Sequence, residues 1–529
     1  MHPSDAYSDG RVSHRFRAVA LLVGAALYAL ALPPYDVTVA GWVAVTPLLL
    51  AVRGLRWREA AVIGLLQGAM CAWAVGMYLA QALGRYFMLG YPLAIVAASG
   101  YAFVVWGTAF ALFAVGAASL MRRRWTPFTS LALAALWVGT ELYRVRVLEQ
   151  PWGLLGYTQY TQVSLIQISA ITGVYGVSFL LALSSAAVAH LITHFVTRAA
   201  PLWPRSLSLA ILLLLASWSI GAFVIRRPGS TLDATAPIAI VQANVPPSVE
   251  WTRAYTERQV DAHLRATESL LETSRPALIA WPENSVPLYL EREPLLARRL
   301  HEMATRSGAD ILLGGPRFAD GHIYNSIRLI SGQAQPDSTY DKKQLVLFGE
   351  TELFSGTEPV AQSGSPRSFS SGRGPRLLRS FTPLGVSICH ELIYPHFIAQ
   401  SVWRGARLLV NVSNDGWLDA GNGIASRQHF AMGVFRAVET RRWLVRAALT
   451  GVSGVVDPYG RIRESLPAGT SAVLNTQVAP VAVRTAYVVL GDFFALLCAL
   501  LALTALVAGR RVTEERAVPA PAWIPKPAA

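Results

Sequence analysis

Long apolar stretches dominate the first 226 residues of the chain and return once near its C-terminus. A helix needs roughly 20 predominantly apolar residues to cross the hydrocarbon core of a bilayer. Eight stretches approach that length and predict eight membrane spans, seven of them before residue 226. The predicted spans are 16–33, 37–52, 60–83, 91–120, 128–148, 165–195, 206–225 and 486–509.

The pattern changes between residues 228 and 482, where short apolar runs alternate with amphipathic stretches. Apolar residues at helical spacing, such as Val260, Leu264 and Leu271, predict helices between the runs. Strands that are apolar throughout and separated by helices indicate a layered α/β domain. The predicted strands are 238–242, 277–281, 311–314, 323–330, 384–389, 408–412, 444–449 and 454–457.

Together these patterns predict an α-helical transmembrane bundle of 8 spans plus an extracytoplasmic α/β domain. The predicted N-terminal membrane domain with seven transmembrane helices covers 1–227, and the α/β domain covers 228–482. The eighth transmembrane helix follows at 483–511. The Pro- and Ala-rich end of the chain, 512–529, is predicted to be a disordered cytoplasmic tail.

The chain is basic, with 46 Lys and Arg residues against 32 Asp and Glu residues. Such an excess can indicate a nucleic-acid partner, but here the arginines concentrate in alternate loops between the predicted spans. Clusters occur at 53–58, 122–124 and 510–511. Cytoplasmic loops of membrane proteins carry this kind of excess. We therefore predict cytoplasmic termini, an α/β domain on the opposite side of the membrane, and no nucleic-acid partner.

Three short motifs supply a glutamate, a lysine and a cysteine to the α/β segment: Glu283, Lys342 and Cys389. The other two cysteines, Cys71 and Cys498, fall within apolar spans, so Cys389 has no obvious disulfide partner and is predicted to be a reactive thiol. A cysteine performs acyl transfer when a carboxylate accepts its proton and a cation stabilises the oxyanion. The combination predicts a thioester intermediate.

The order of these motifs resembles the Glu-Lys-Cys triad of the nitrilase superfamily. Seven spans before the domain and one after it resemble the membrane-bound apolipoprotein N-acyltransferases of that superfamily. The likeness covers nearly the whole chain and implies a nitrilase-like α-β-β-α sandwich. Further matching segments are 151–157, 173–176, 241–245 with Trp251, 324–326, and 413–417 with Gln428 and His429.

By this resemblance, Glu283 is the general base, Lys342 stabilises the oxyanion and Cys389 is the catalytic nucleophile. Supporting or substrate-binding roles are implied for Trp251, Glu350, His390 and Glu391. The chain departs from the family pattern at Leu347, at His390 and at 418–419. None of these departures removes a triad group, but they leave the rate and its pH dependence open.

The implied reaction is a two-step acyl relay. A phospholipid acyl donor passes its chain to Cys389, and the free α-amine of the N-terminal diacylglyceryl-cysteine of an apolipoprotein then attacks the thioester. The resemblance implies a monomeric enzyme of the bacterial inner membrane with its catalytic domain on the periplasmic side. It implies no cofactor and no metal site.

Two other functions remain open at this point. A membrane-anchored nitrilase-type amidase would use the same thioester to hydrolyse a small amide, with water instead of a lipid-linked amine as the second nucleophile. A transporter with an accessory domain is disfavoured, because the predicted spans contain few ionisable residues beyond Glu141 where a polar pathway would need them.

Overall fold

The computed structural model describes residues 13–86, 90–122, 125–196, 205–226, 235–246, 248, 252–333, 335–346, 350, 368–419 and 422–515. The helices of the N-terminal part are α1 His14–Ala31, α2 Thr38–Gly41, α3 Thr46–Val52, α4 Trp57–Gly76, α5 Tyr78–Tyr86, α6 Tyr91–Tyr101, α7 Thr108–Leu120, α8 Pro127–Arg146, α9 Ser169–Thr172, α10 Val174–Val196 and α11 Arg205–Arg226. The later helices are α12 Arg253–Thr273, α13 Pro294–Ser307, α14 Pro395–Trp403, α15 Gly416–Asp419, α16 Ile424–Thr440, α17 Ala486–Leu490 and α18 Phe493–Glu515.

The chain is a membrane protein with several apolar helices. In the part of the chain that the structure describes, five helical stretches are long and apolar enough to cross a bilayer. They are α1, α4, the stretch Tyr91–Leu120 that joins α6 to α7 through a π-helical segment, α10 and α11. The predicted count of eight is not shown by these helices.

Four predicted spans differ from the observed helices for local reasons. The stretch 165–195 is divided at Gly173, which adopts a positive φ of 65° between α9 and α10. The stretch 37–52 is divided between α2 and α3, and the stretch 60–83 is divided between α4 and α5. The stretch 486–509 is interrupted between α17 and α18 at Gly491, which adopts a positive φ of 58°. The last helix continues to Glu515, beyond the predicted start of the tail at 512, and residues 516–529 lie outside the described residues.

Small residues allow the membrane helices to pack closely. A Cβ added at Gly64 of α4 would lie 2.5 Å from the carbonyl oxygen of Phe110 in α7, and one at Gly68 would lie 2.6 Å from that of Trp106. Helix pairs in membranes associate through small residues of this kind, because lipid tails provide no hydrophobic driving force between helices. The sequence therefore fixes the α4–α7 contact through two glycines one turn apart.

The described residues between 236 and 478 form two six-stranded sheets. Sheet one has the order β12-β1-β2-β3-β4-β5, and sheet two has the order β11-β10-β9-β8-β7-β6. The central strands of each sheet, β1-β2-β3 and β7-β8-β9, are parallel, and the outer strands pair antiparallel. The strands are β1 Ala236–Gln242, β2 Leu278–Ala280, β3 Asp310–Ala319, β4 His322–Ile330, β5 Ser338–Asp341, β6 Leu377–Arg379, β7 Pro383–Ile388, β8 Leu408–Ser413, β9 Leu444–Ala448, β10 Ser453–Val456, β11 Ile462–Leu466 and β12 Ala472–Val478.

The two sheets form the middle of a nitrilase-like α/β sandwich, as the resemblance implied. Alternate residues of β1 point to opposite faces: Ile238 and Ile240 join the core between the sheets, while Ala239 and Val241 pack under α12 and α13. Such strands are apolar on both faces because both faces are covered. On the other side, α14 and α16 cover sheet two.

Helix α16 also packs on the membrane helices, and almost all of its residues are buried. Polar contacts cross this junction at several points, including Glu439 with the backbone N–H of Val174 and Arg436 with the hydroxyl of Tyr157. The sandwich therefore rests on the bundle through sheet two, and sheet one lies on the far side.

Every strand predicted from the sequence overlaps an observed strand. Four observed strands were not predicted: β5, β6, β11 and β12. They lie at sheet edges, where β11 is largely exposed and β5 and β6 are short. An edge strand needs no continuous apolar run, so hydrophobic pattern alone does not find it.

Candidate active site

The ends of four strands place polar side chains at one edge of the sandwich. Glu283 follows β2, Lys342 follows β5, Cys389 follows β7 and Asn414 follows β8. Ligand and catalytic groups commonly gather at the carboxyl ends of parallel strands. The two sheets meet here directly, since the backbone N–H of Asn414 from sheet two donates to Oε2 of Glu283 from sheet one at 2.8 Å.

Lys342 lies between two carboxylates and is almost completely buried. Its Nζ is 3.3 Å from Oε1 of Glu283 and 2.8 Å from Oε1 of Glu350. Burial acts to lower the pKa of Lys342, but the two carboxylates outweigh it and hold that pKa above its usual value. The ammonium therefore stays charged at neutral pH.

Asn325 joins the same cluster from the middle of β4. Its Nδ2 donates to Oε1 of Glu283 and to Oε1 of Glu350, each at 2.7 Å. The second oxygen of Glu350 accepts from the backbone N–H of Val346 at 2.9 Å. One amide group thus fixes the spacing of the two carboxylates around Lys342.

Cys389 lies where β7 ends and a short 3-10 turn begins, and its φ of 51° is in the left-handed region. Non-glycine residues held in this region are strained, and such strain is common where a backbone must expose a side chain. Nδ2 of Asn411 donates to the main-chain carbonyl of Cys389 at 3.2 Å and holds the turn.

The sulfur interacts electrostatically with both Glu283 and Lys342. Burial is the largest influence and raises the pKa of the Cys389 thiol, Glu283 raises it further, and Lys342 only partly offsets them. The resting group is therefore a thiol. A thiol is a weak nucleophile until a base removes its proton. Glu283 is the carboxylate with the strongest influence on the pKa of this thiol.

Glu391 fastens the loop that carries Lys342 to the turn that carries Cys389. Its Oε1 accepts from the hydroxyl of Tyr340 at 2.7 Å and from the backbone N–H groups of Lys343 and Gln344, and its Oε2 accepts from the backbone N–H of Ile388 at 2.8 Å. Burial raises the pKa of Glu391 to about 7, against these donors, which favour the charged form. Its geometry is that of a positioning residue.

His390 follows Cys389 in the chain, and its ring lies edge-on to Tyr394, at 5.7 Å between centroids. Burial, and to a lesser extent Lys342 and His429, hold the pKa of His390 well below its usual value, so the ring is neutral. Among the described residues its Nδ1 has no hydrogen-bond partner. Trp251, predicted to handle substrate, lies outside the described residues, as does Leu347.

A second buried polar cluster lies behind Cys389. Arg446 donates to Oδ2 of Asp415 at 2.6 Å and contacts Oδ1 of Asn411, and Oδ1 of Asp415 lies 3.0 Å from Nδ1 of His429. Burial acts to raise the pKa of Asp415, but Arg446 and His429 outweigh it and hold that pKa well below its usual range. The ion pair is therefore permanent at neutral pH.

Four residues of these clusters, Asn325, Asn411, Asp415 and Arg446, were not predicted as site residues. Asn325 and Asp415 lie within the matching segments 324–326 and 413–417, and the signal at Asn411 in β8 and Arg446 in β9 was a polar side chain inside a largely apolar strand. Among the described residues, no group of three or more His, Cys, Asp or Glu side chains could hold a metal ion.

Comparison with known proteins covers both parts of the chain. Residues 24–187 match the profile of the apolipoprotein N-acyltransferase N-terminal domain, and residues 237–487 match that of the carbon-nitrogen hydrolases. A solved structure of a carbon-nitrogen hydrolase superfamily protein from Xanthomonas campestris is 18% identical and covers 46% of this chain and 91% of its own, with a TM-score of 0.36.

Curated relatives match over most of their length. The apolipoprotein N-acyltransferase of Geobacter metallireducens is 32% identical over 506 residues, which is 92% of this chain and 94% of the relative. That of Pseudomonas aeruginosa is 32% identical over 485 residues, covering 88% of this chain and 90% of its own. That of Pseudomonas putida is 32% identical over 510 residues, covering 93% and 96%.

Proposed function

Because the chain belongs to the apolipoprotein N-acyltransferase family, we propose that it performs the family's acyl transfer with Cys389 as nucleophile, Glu283 as general base and Lys342 as the cation that stabilises the oxyanion. The activity is transfer of an acyl chain from a phospholipid to an apolipoprotein. The observation that carries the residue assignment is the contact of Lys342 with Glu283, 3.3 Å apart, next to a buried cysteine that interacts with both.

In the first step, Glu283 takes the thiol proton as the sulfur of Cys389 attacks the ester carbonyl of the phospholipid. The new C–S bond forms, the ester C–O bond breaks, and Glu283 returns the proton to the oxygen of the departing lysophospholipid. In the second step, the free α-amine of the N-terminal diacylglyceryl-cysteine attacks the thioester and gives its proton to Glu283. The C–S bond then breaks, and Cys389 recovers its proton.

Lys342 fits the role of oxyanion stabiliser because one N–H donor of its ammonium group makes no hydrogen bond to a described residue. An ammonium group has three N–H donors, and Glu283 and Glu350 account for two of them. No described residue accepts from the third, which is left for the oxygen that gains charge in the tetrahedral intermediate. Preorganised donors of this kind contribute about 10²- to 10³-fold to rate. Asn325, Glu350 and Glu391 act as positioning residues in this scheme, and His390 and Trp251 are proposed to contact substrate.

The proposed topology has eight spans, with 1–227, 228–482 and 483–511 as membrane domain, periplasmic catalytic domain and last span, and 512–529 as a cytoplasmic tail. The contacts at one end of the bundle support it. Nε of Arg17 donates to the carbonyl of Ala51, and Nη2 of Arg122 donates to that of Leu55, so several basic residues share one end. We assign that end to the cytoplasmic side because cytoplasmic loops carry an excess of Lys and Arg.

The opposite end of the bundle contacts the sandwich. Pro33 after α1, Val75 in α4 and Val174 at the start of α10 all bond to residues of α16. Helices that begin at the arginine-rich end and finish at the sandwich support an odd number of spans before the catalytic domain. We propose a monomer in the bacterial inner membrane, in which the membrane supplies both lipid substrates and spares the enzyme about 0.8 kcal/mol per CH₂ for extracting an acyl chain.

The residue assignment is tested by replacing each cysteine in the full-length protein. Cys389→Ser is expected to abolish both a hydroxylamine-sensitive lipid adduct and product formation from labelled phospholipid and a diacylated lipopeptide. Cys71→Ser and Cys498→Ser, which change buried cysteines of the membrane part, are the matched controls and are expected to keep both. Adduct formation by Cys389→Ser would overturn the assignment. An adduct that only water can discharge would instead indicate the amidase.

A further inference from the structure

Gln428 lies at the centre of the contact between the sandwich and the bundle. Its Oε1 accepts from the hydroxyl of Tyr78 at 3.0 Å and from Nε1 of Trp152 at 2.8 Å. Its Nε2 donates to the carbonyls of Pro33 at 3.0 Å and Val75 at 3.1 Å. A buried amide with all four hydrogen bonds filled by three separate segments of the membrane part is held in one position.

The next residue along α16 continues this contact into the sandwich. The ring of His429 packs on the ring of Trp152, with 5.5 Å between centroids, so Trp152 contacts both Gln428 and His429. Nδ1 of His429 lies 3.0 Å from Oδ1 of Asp415 and 3.1 Å from Nη2 of Arg446. All of these side chains apart from Trp152 are almost completely buried.

From Asp415 and Arg446 two short paths reach the proposed catalytic groups. Along the first, the residue before Asp415 is Asn414, whose backbone N–H donates to Oε2 of Glu283 at 2.8 Å. Along the second, Arg446 contacts Asn411, whose Nδ2 donates to the carbonyl of Cys389 at 3.2 Å. The strained turn of the nucleophile and the carboxylate of the base are thus held from the same buried cluster.

We propose that Trp152, Gln428 and His429 are positioning residues that couple the seating of the membrane helices to the geometry of Glu283 and Cys389. The inference rests on the proposed function and adds to it a reason why the sandwich must sit on its bundle to be active. Only a bundle seated on α16 holds the base and the nucleophile in reacting positions. A misplacement of about 1 Å can cost about 10²-fold in rate.

The chain offers a matched control at Gln167. This glutamine is also buried and also joins the two parts, since its Nε2 donates to the carbonyl of Tyr459 at 2.8 Å and its Oε1 accepts from Arg441 at 2.6 Å. Among the described residues, no hydrogen bond leads from Tyr459 or Arg441 to Glu283 or Cys389. Gln428→Ala and Gln167→Ala therefore each remove a buried amide that joins the two parts, through four bonds at Gln428 and two at Gln167, and only the amide of Gln428 is linked to the site.

The experiment compares these two variants of the full-length protein. We expect acyl-enzyme formation at saturating phospholipid to fall at least tenfold more in Gln428→Ala than in Gln167→Ala, although both lower the unfolding temperature. We also expect the pH profile of Cys389 alkylation by iodoacetamide to shift only in Gln428→Ala. A rate difference smaller than tenfold, or the same alkylation profile in both variants, would overturn the coupling.

Alkylation needs no lipid, so the result separates the coupling from the proposed function. An unshifted profile in Gln428→Ala rejects the coupling even if acyl transfer through Cys389 holds. A wild type that alkylates normally but never forms the acyl adduct rejects the function alone. His429→Asn, which keeps an amide N–H for Asp415, is expected to retain at least tenfold more activity than His429→Ala; equal activities would assign His429 to packing only.

Discussion

The two sheets contribute different halves of the site and sit in different surroundings. Sheet one supplies Glu283 and Lys342 and is covered by α12 and α13, whose outer faces are exposed. Sheet two supplies Cys389 and is covered by α16, which is buried between the sandwich and the membrane helices. The sheet that carries Glu283 and Lys342 is thus covered by helices with solvent-exposed outer faces, whereas the sheet that carries Cys389 is fixed to the membrane bundle.

The polar clusters of the two sheets differ in the same way. Among the described residues, the cluster of Lys342, Glu283 and Glu350 leaves one ammonium donor unused, which suits its proposed role of receiving the substrate oxygen. The cluster of Arg446, Asp415 and His429 is bonded among its own members. Arg446 also contacts Asn411, which donates to the main-chain carbonyl of Cys389. In the proposed function the first cluster performs the chemistry and the second positions it, so changes to the two clusters should affect different measurements.

Removing the ammonium group of Lys342 from sheet one should produce the largest loss of acyl-transfer activity. Lys342→Met removes the proposed oxyanion donor and leaves two buried carboxylates without a counter-charge. We expect acyl transfer to fall about 10²- to 10³-fold or more, measured as product formed from labelled phospholipid. Lys343→Met, which changes the exposed neighbour, should stay close to wild type. A Lys342→Met enzyme within tenfold of wild type would remove Lys342 from the chemistry.

Breaking the buried Arg436–Glu439 ion pair of α16, between sheet two and the membrane helices, should lower the stability of the protein. Glu439 pairs with Arg436 at 2.8 Å and accepts from the backbone N–H of Val174 at 2.9 Å, at the start of α10. Glu439→Gln leaves a buried arginine without its partner charge, which costs about 3–5 kcal/mol of unfolding free energy. Thermal unfolding of the solubilised protein measures this cost. An unchanged unfolding midpoint would show that this junction does not hold the two parts together.

The electrostatic effect of Glu283 on Cys389 can be distinguished from its proposed role as a base by measuring alkylation of Cys389 as a function of pH. Glu283 raises the pKa of the Cys389 thiol, so Glu283→Gln should lower that pKa and increase the thiolate fraction at pH 7. Each unit of decrease raises the thiolate fraction about tenfold. Alkylation of Cys389 should therefore quicken in Glu283→Gln while acyl transfer is lost. Slower alkylation at every pH would mean that Glu283 does not act on the thiol electrostatically.

The smallest change in the unfolding midpoint should come from breaking an ion pair on the exposed helices that cover sheet one. Glu268 of α12 pairs with Arg299 of α13 at 2.7 Å, and both side chains are about half exposed. Exposed pairs of this kind contribute at most about 1 kcal/mol. Glu268→Gln should shift the unfolding midpoint far less than Glu439→Gln does. Equal shifts would contradict the difference between the two sides of the sandwich.

Strand ends made part of the site visible in the sequence. Glu283 and Cys389 come at the ends of predicted strands, whereas Lys342 follows β5, which was not predicted, and was found through its motif. The structure puts Glu283 and Lys342 in direct contact, although their chemical roles stay predictions. The layered fold was also predictable, because its central strands are apolar on both faces. Edge strands such as β11 were not, since exposed residues form them.

Other features depend on contacts that no local pattern records. Gln428 bonds to Pro33, 395 residues away in the chain, and Asn325 reaches Glu350 across a loop. Hydrophobic runs also overstate helix continuity, because they take no account of breaks such as the positive φ at Gly491. The count of spans therefore stays a prediction, while the layered α/β fold is confirmed.

The most direct measurement is to locate the acyl group on the trapped enzyme. Full-length protein is incubated with a phospholipid of defined acyl chain and no apolipoprotein, digested, and mapped by mass spectrometry. The account predicts one acyl chain as a thioester on the peptide that contains Cys389, absent from Glu283→Gln and discharged by added diacylated lipopeptide. An acyl group on any other residue, or an adduct undiminished in Glu283→Gln, would contradict the account.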